Sequence, residues 1–152
     1  MKHIQSMIEQ RGGFQAVRDH YIRLENPPLL RLVIEVIAGP YENGAHQLSV
    51  AHYGEQNGDA MRDPEITFLV TPVDRGLTWI PLTYENSYLG CYQVAAEVSR
   101  DGRLAVRDPF LLRDLRGFAN QWDRNIRAQG FMEVFERLKT VPQPEITNPQ
   151  SK

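Results

Sequence analysis

Along the first quarter of the chain, apolar residues recur every three or four positions: Ile4, Met7 and Ile8, then Phe14, Val17, Tyr21 and Leu24. This spacing puts them on one face of a helix and predicts helical structure over residues 3–25. Gly12-Gly13 should split it into two pieces, and Asn26-Pro27-Pro28 should end the second, because proline lacks a donor and disfavours helical geometry in the residue before it. The period then changes to two. Leu30, Leu32, Ile34, Val36 and Ala38 alternate with Arg31, Val33, Glu35 and Ile37, the pattern of a strand with one wholly apolar face.

A turn cluster at residues 39–44 separates this strand from a second at Gln47 to Tyr53, with Leu48 and Val50 facing inward. Residues 54–64 read as a loop. Further strands are expected at Glu65 to Thr71, Thr78 to Tyr84 and Tyr88 to Val98, with Pro81 pushing the second of these toward a sheet edge. Arg100-Asp101-Gly102 makes a turn into a last strand, Arg103 to Arg107. Asp108-Pro109 is a cap followed by a proline at the first helical position, and it opens a helix from Phe110 to Ala128. Leu111, Leu112, Leu115, Phe118, Ala119, Trp122 and Ile126 form its apolar face, Gly130 ends it, and Phe131 to Lys139 forms another short helix. The pattern describes an α+β fold, an antiparallel meander of five or six strands with an N-terminal and a C-terminal helix packed on its apolar face. Residues 1–141 are expected to form one domain, and 142–152, rich in proline, a flexible tail.

Composition narrows the function classes. With 152 residues the chain suits one domain, and 41% hydrophobic with 24% charged residues is ordinary globular usage. A formal charge of −2 gives no bulk attraction for nucleic acid or membrane, so an electrostatic partner must be selected by a local patch. The single cysteine, Cys91, excludes an intramolecular disulfide and is expected to be a buried thiol in mid-strand. Charges interrupt both the N-terminus and the most apolar run, so neither a signal peptide nor a membrane span is expected, and the expected compartment is the cytoplasm. Arginine outnumbers lysine 14 to 3, which favours planar acidic partners if the arginines bind anything.

The most unusual stretch is 51–65, which gathers His52, Tyr53, Glu55, Asn57, Asp59, Arg62, Asp63 and Glu65. Oxygen-rich loops can hold Ca²⁺ or Mg²⁺, and a neighbouring histidine can serve as base or ligand. Against this, Asn57-Gly58-Asp59 and Asp63-Pro64 are turn formers whose side chains often bond backbone donors locally, and the spacing is not that of an EF-hand. The expectation is therefore no metal and no cofactor, with Asp59 and Asp63 bonded within their own turn. His52, in phase with Leu48 and Val50, is expected at the core margin.

Ala51-His52-Tyr53, Asn57-Gly58-Asp59, Met61-Arg62-Asp63-Pro64-Glu65 and Phe68 resemble the central motif of an uncharacterised bacterial domain family found on plasmids, phages and other mobile elements. Pro81 to Asn86, followed by Leu89-Gly90 and Tyr92-Gln93, resembles its second motif, although Ser87 stands where family members often carry an acid. The resemblance spans about residues 30–98 and implies no known activity.

A second candidate surface lies on the long helix. Arg113, Arg116, Arg124 and Arg127 fall within about 80° of one another, opposite the apolar face. Such a row can bind phosphates or an acidic protein, but Asp114 and Asp123 flank it, so nucleic-acid binding is expected to be weak at most. Trp79, Tyr84, Tyr88 and Tyr92 are expected to pack in the core rather than stack on bases. Phosphate loops, nucleophile elbows, paired-cysteine zinc motifs and His-Glu-x-x-His are absent from the sequence. These readings favour a non-enzymatic binding or regulatory protein that presents the 54–65 loop to another protein, interference with a host defence system being one concrete form. The alternative is a metal-dependent hydrolase using His52, Asp59, Asp63 and Glu65.

Overall fold

The structure, a computed structural model, describes residues 1–139; the expected proline-rich tail lies outside them. Two short helices, α1 (Lys2–Arg11) and α2 (Phe14–Asp19), lead into β1 (Ile22–Asn26), β2 (Leu29–Ala38), β3 (His46–Gln56), β4 (Asp59–Val73), β5 (Gly76–Asn86) and β6 (Cys91–Val94). Then come β7 (Ala96–Val98), β8 (Leu104–Val106), α3 (Pro109–Ala128) and α4 (Phe131–Lys139). Strands β1 to β6 form one antiparallel sheet in sequence order, and β7 pairs with β8 in a separate ribbon. The expected α+β meander is therefore present.

Several assignments change. Residues 22–26 are a strand and not the end of a helix: Ile22 and Leu24 are buried while Arg23 and Glu25 are exposed, a period of two that the spacing of Tyr21 and Leu24 disguises. Pairing with β2 decides it, since Ile22 meets Ile34 and Leu24 meets Leu32 in the core. The strand near residue 105 leaves the main sheet, so β1 is the sixth strand in its place. Pro81 does not sit on an edge strand either. It is buried on β5, between β4 and β6, where a bulge opposes Phe68 to Pro81 and Thr67 to Thr83. β6 pairs only with Thr83 to Asn86, which leaves the stretch around Pro81 without a second ladder to support.

The four helices of the described residues lie on one face of the sheet, against a core built from Leu32, Ile34, Leu48, Val50, Ile66, Phe68 and Val70. Asp108 caps α3 as expected, accepting from the Phe110 and Leu111 amides at 3.1 and 3.0 Å. Among the described residues the opposite face, the open face, is covered only at one end, where the β7–β8 ribbon lies over Leu69 and Leu82. No helix among the described residues is long and apolar enough to cross a membrane.

Candidate functional site: a charged row on the open face

The predicted 54–65 loop is a β-hairpin arm. β3 continues to Gln56, β4 starts at Asp59, and Asn57-Gly58 form a two-residue turn with positive φ at both positions (54° and 85°), the geometry that an Asn-Gly pair favours. Asp59 pairs with Gln56 at the exposed tip. Asp63 is not bonded in its own turn; its Oδ1 accepts from Asn86 Nδ2 on β5 at 2.7 Å. Strand pairing takes precedence because both backbones find ladder partners almost to the end of the arm.

A bulge in this arm decides which side chains meet. Ala51 opposes Glu65 and Tyr53 opposes Arg62, so Asp63 and Pro64 together face His52. In an unbroken strand residues three apart point to opposite faces. The extra residue brings Arg62 and Glu65 to the same one, the open face. His52 points the other way, buried beside Trp122 and Phe131 with ring centroids 5.5 and 5.4 Å away, and its Nδ1 lies 3.2 Å from the Leu30 carbonyl. Burial pushes its pKa down against the opposing pull of that carbonyl. The candidates are thus divided: His52 and Asp63 on the helix side, Tyr53, Arg62 and Glu65 on the open face, and Asn57 and Asp59 at the tip. Among the described residues no three His, Cys, Asp or Glu side chains gather closely enough to hold a metal ion.

On the open face, Arg62 lies between two carboxylates, its Nε 3.2 Å from Glu65 Oε1 and 3.7 Å from Glu85 Oε2. Its buried Nε has no well-aligned hydrogen bond, so charge rather than bond direction holds these contacts. Glu65 and Glu85 are direct cross-strand neighbours, a repulsive pairing that the guanidinium offsets. Ser49, nearly fully buried, donates to Glu65 Oε2 at 2.6 Å. Glu35, opposite Ser49 on β2, has its pKa raised by burial and then by Glu65, with Arg62 acting the other way. Tyr53 lies beneath two guanidiniums, with Arg31 and Arg62 Cζ at 5.7 and 5.8 Å from its ring centroid.

Shallow clefts flank this row. One of about 340 Å³ is bordered by Gln47, Thr67, Thr83, Tyr92 and Glu97, and one of about 230 Å³ by Tyr21, Arg23, Arg31, Glu35 and Tyr53. Glu35, Ser49 and Glu85 were not candidate site residues from sequence; the signal for Glu35 and Ser49 is a polar residue among apolar strand positions, and for Glu85 its place in the second motif. Asn86, quoted as the end of the second motif, was not a candidate site residue either. It is buried, bonds Asp63, and accepts from the Leu89 amide at 3.2 Å, tying the second motif to the first. Ser87 Oγ accepts from the Arg62 amide at 3.0 Å.

The arginines of α3 are all exposed, as expected, but Asp123 is buried and does not flank them. Trp79 and Tyr84 pack against Phe68 and Phe118, whereas Tyr88 and Tyr92 are exposed rather than in the core. Cys91 is half-buried at the start of β6 rather than mid-strand.

Fold and site together define an α+β domain with a one-sided helical layer and a charged open sheet face. Residues 2–132 match a family described as a domain of unknown function (DUF6908), and the chain belongs to that family. The match reaches beyond both motifs to include α1, α2 and α3. No curated protein and no solved structure matches the chain.

Proposed function

We propose that this is a non-enzymatic binding protein and that its partner, another protein, seats on the open face of the sheet. The observation that carries this reading is the row of Tyr53, Arg62, Glu65 and Glu85, held in place by mutual contacts on a face that no helix of the described residues covers and flanked by two clefts. A preorganised set of charges around an aromatic ring loses little side-chain freedom on binding, and its geometry selects a partner of matching charge. In the mobile-element setting that the motifs imply, a host protein, such as a component of a defence system, is the partner to seek first.

A photo-crosslinking residue placed at Tyr53 or Tyr92, and separately at Glu9 on α1 as a control, tests the surface in cells of the native host. The same partner band from the open-face positions, with none from Glu9, is the expected result. Equal capture from both faces, or none from the open face, would refute it.

A further inference from the structure

The cleft of about 230 Å³ on the open face follows from the register of β1, β2 and β3. Arg23, Val33 and Ala51 stand side by side across the three strands, with Glu35 and Ser49 in the next row on one side and Arg31 and Tyr53 in the next row on the other. Val33 and Ala51 are short and buried while Arg23, Arg31, Glu35 and Tyr53 are long, so the surface is hollow over an apolar floor.

Two groups on the rim carry charges that nothing among the described residues matches. Arg23 is satisfied, since it pairs with Glu25 at 2.7 Å. Arg31, half-buried, has no hydrogen bond and no ion pair among the described residues; it rests on the Tyr53 ring, and its donors are left for a partner. Glu35, also half-buried, has no hydrogen bond or ion pair either, and Glu65 and Arg62 act on it only through space. The two cannot pair with each other, because they leave the same face of β2 four residues, or about 13 Å, apart with Val33 between them.

The cleft thus has a cationic end, an apolar floor and an anionic end in line along β2. An extended chain has the same repeat, so alternate side chains of such a chain match the three in turn. We propose that the partner of the open face lays an extended segment here, with an acidic side chain on Arg31, an apolar one over Val33 and Ala51, and a basic one on Glu35. This rests on the open-face reading and adds the chemistry of what seats there. A guanidinium fork takes a carboxylate through two donors, and a side chain already held against a ring loses little freedom in doing so. Opposite charges in line also set the direction of the segment, since the reverse direction brings like charges together. A polyanion such as nucleic acid or an anionic membrane would meet Glu35, Glu65 and Glu85 on the same face.

The probe is a cyclised hairpin peptide, one strand of which reads Glu-Thr-Val-Thr-Lys, titrated into the full isotope-labelled chain while NMR follows the Arg31 Nε–H and the Val33 and Ala51 methyls. Two control hairpins carry Thr-Glu-Val-Lys-Thr, which has the same composition with the charges turned off the valine face, and Gln-Thr-Val-Thr-Gln. Saturable shifts at all three sites are expected, with affinity about fivefold or more above either control. Arg31→Gln and Glu35→Gln should each weaken binding by about threefold or more and leave the rest of the spectrum in place. Equal binding of the three hairpins, shifts confined to other surfaces, no saturable shift, or two inert variants would each overturn the proposal. A photo-crosslinking residue at Tyr92, outside this cleft, separates it from the reading it rests on. Capture from Tyr92 that neither variant lowers overturns the cleft as the point of insertion and leaves the open-face reading standing. Absence of capture there counts against the open-face reading, and the hairpin titration then decides the cleft by itself.

Discussion

The carboxylate of Asp123, on α3, closes the N-terminus of α1. It accepts from the amides of His3 and Ile4, both at 3.2 Å, and lies 2.8 Å from His3 Nδ1 and 4.0 Å from the terminal ammonium. The first helix has no capping side chain of its own, so a residue about 120 positions later satisfies its free donors. A negative charge there also complements the positive end of the helix.

Asp123→Ala should accordingly cost about 2–4 kcal/mol, since it leaves buried amides without an acceptor. Asp123→Asn keeps one acceptor and should cost less, about 1–2 kcal/mol. Urea unfolding measures both, and an alanine variant as stable as wild type would show that α1 does not depend on this contact.

Removing the Arg62 charge exposes the repulsion between Glu65 and Glu85. Arg62→Met should lower stability by about 0.5–1 kcal/mol at low salt, because the group is partly exposed and screened. Adding Glu85→Gln should recover part of the loss. A double-mutant cycle followed by thermal melts checks this, and strict additivity would mean that Arg62 does not bridge the two acids.

Glu35 is driven toward its protonated form by burial and by Glu65. Its folded-state pKa is raised, so its ionisation works against the fold as pH rises above the usual carboxylate value. Glu35→Gln should therefore raise the melting temperature at pH 7, by well under about 1 kcal/mol in stability, with no gain near pH 4. An equal effect at both pH values would assign it to packing instead.

His52 carries the opposite pH signature. Burial lowers its folded-state pKa, so the unfolded chain takes up the proton first, and stability present above the ordinary histidine value is lost as pH falls below about 6.5. His46 is shifted the same way, mainly by burial, and adds to the slope. Between pH 7.5 and 5.5, His52→Gln should show a shallower decline in unfolding free energy than wild type. A His52 ring titrating at or above the ordinary value by NMR would contradict this.

What could be read along the chain is what depends on neighbours in sequence. Alternation from Leu30 to Val36, the Asp108-Pro109 start of α3 and the Asn57-Gly58 reversal follow from the pleat, a local cap and backbone sterics, and each stands in the structure, whereas a register shift after Val36 takes Ala38 out of phase. Residues 22–26 became a strand only because β2 offered a buried partner. The candidate site depended on the bulge opposite His52, which reverses the alternation between Arg62 and Glu65 and so sends Asp63 and Glu65 to different faces. Glu85 joined the row through the β4–β5 register, and Asp123 left the surface because α1 brought it unfilled donors. Periodicity assigns a face only within an unbroken element; bulges and contacts between distant segments decide which faces meet, and the tertiary fold alone supplies them.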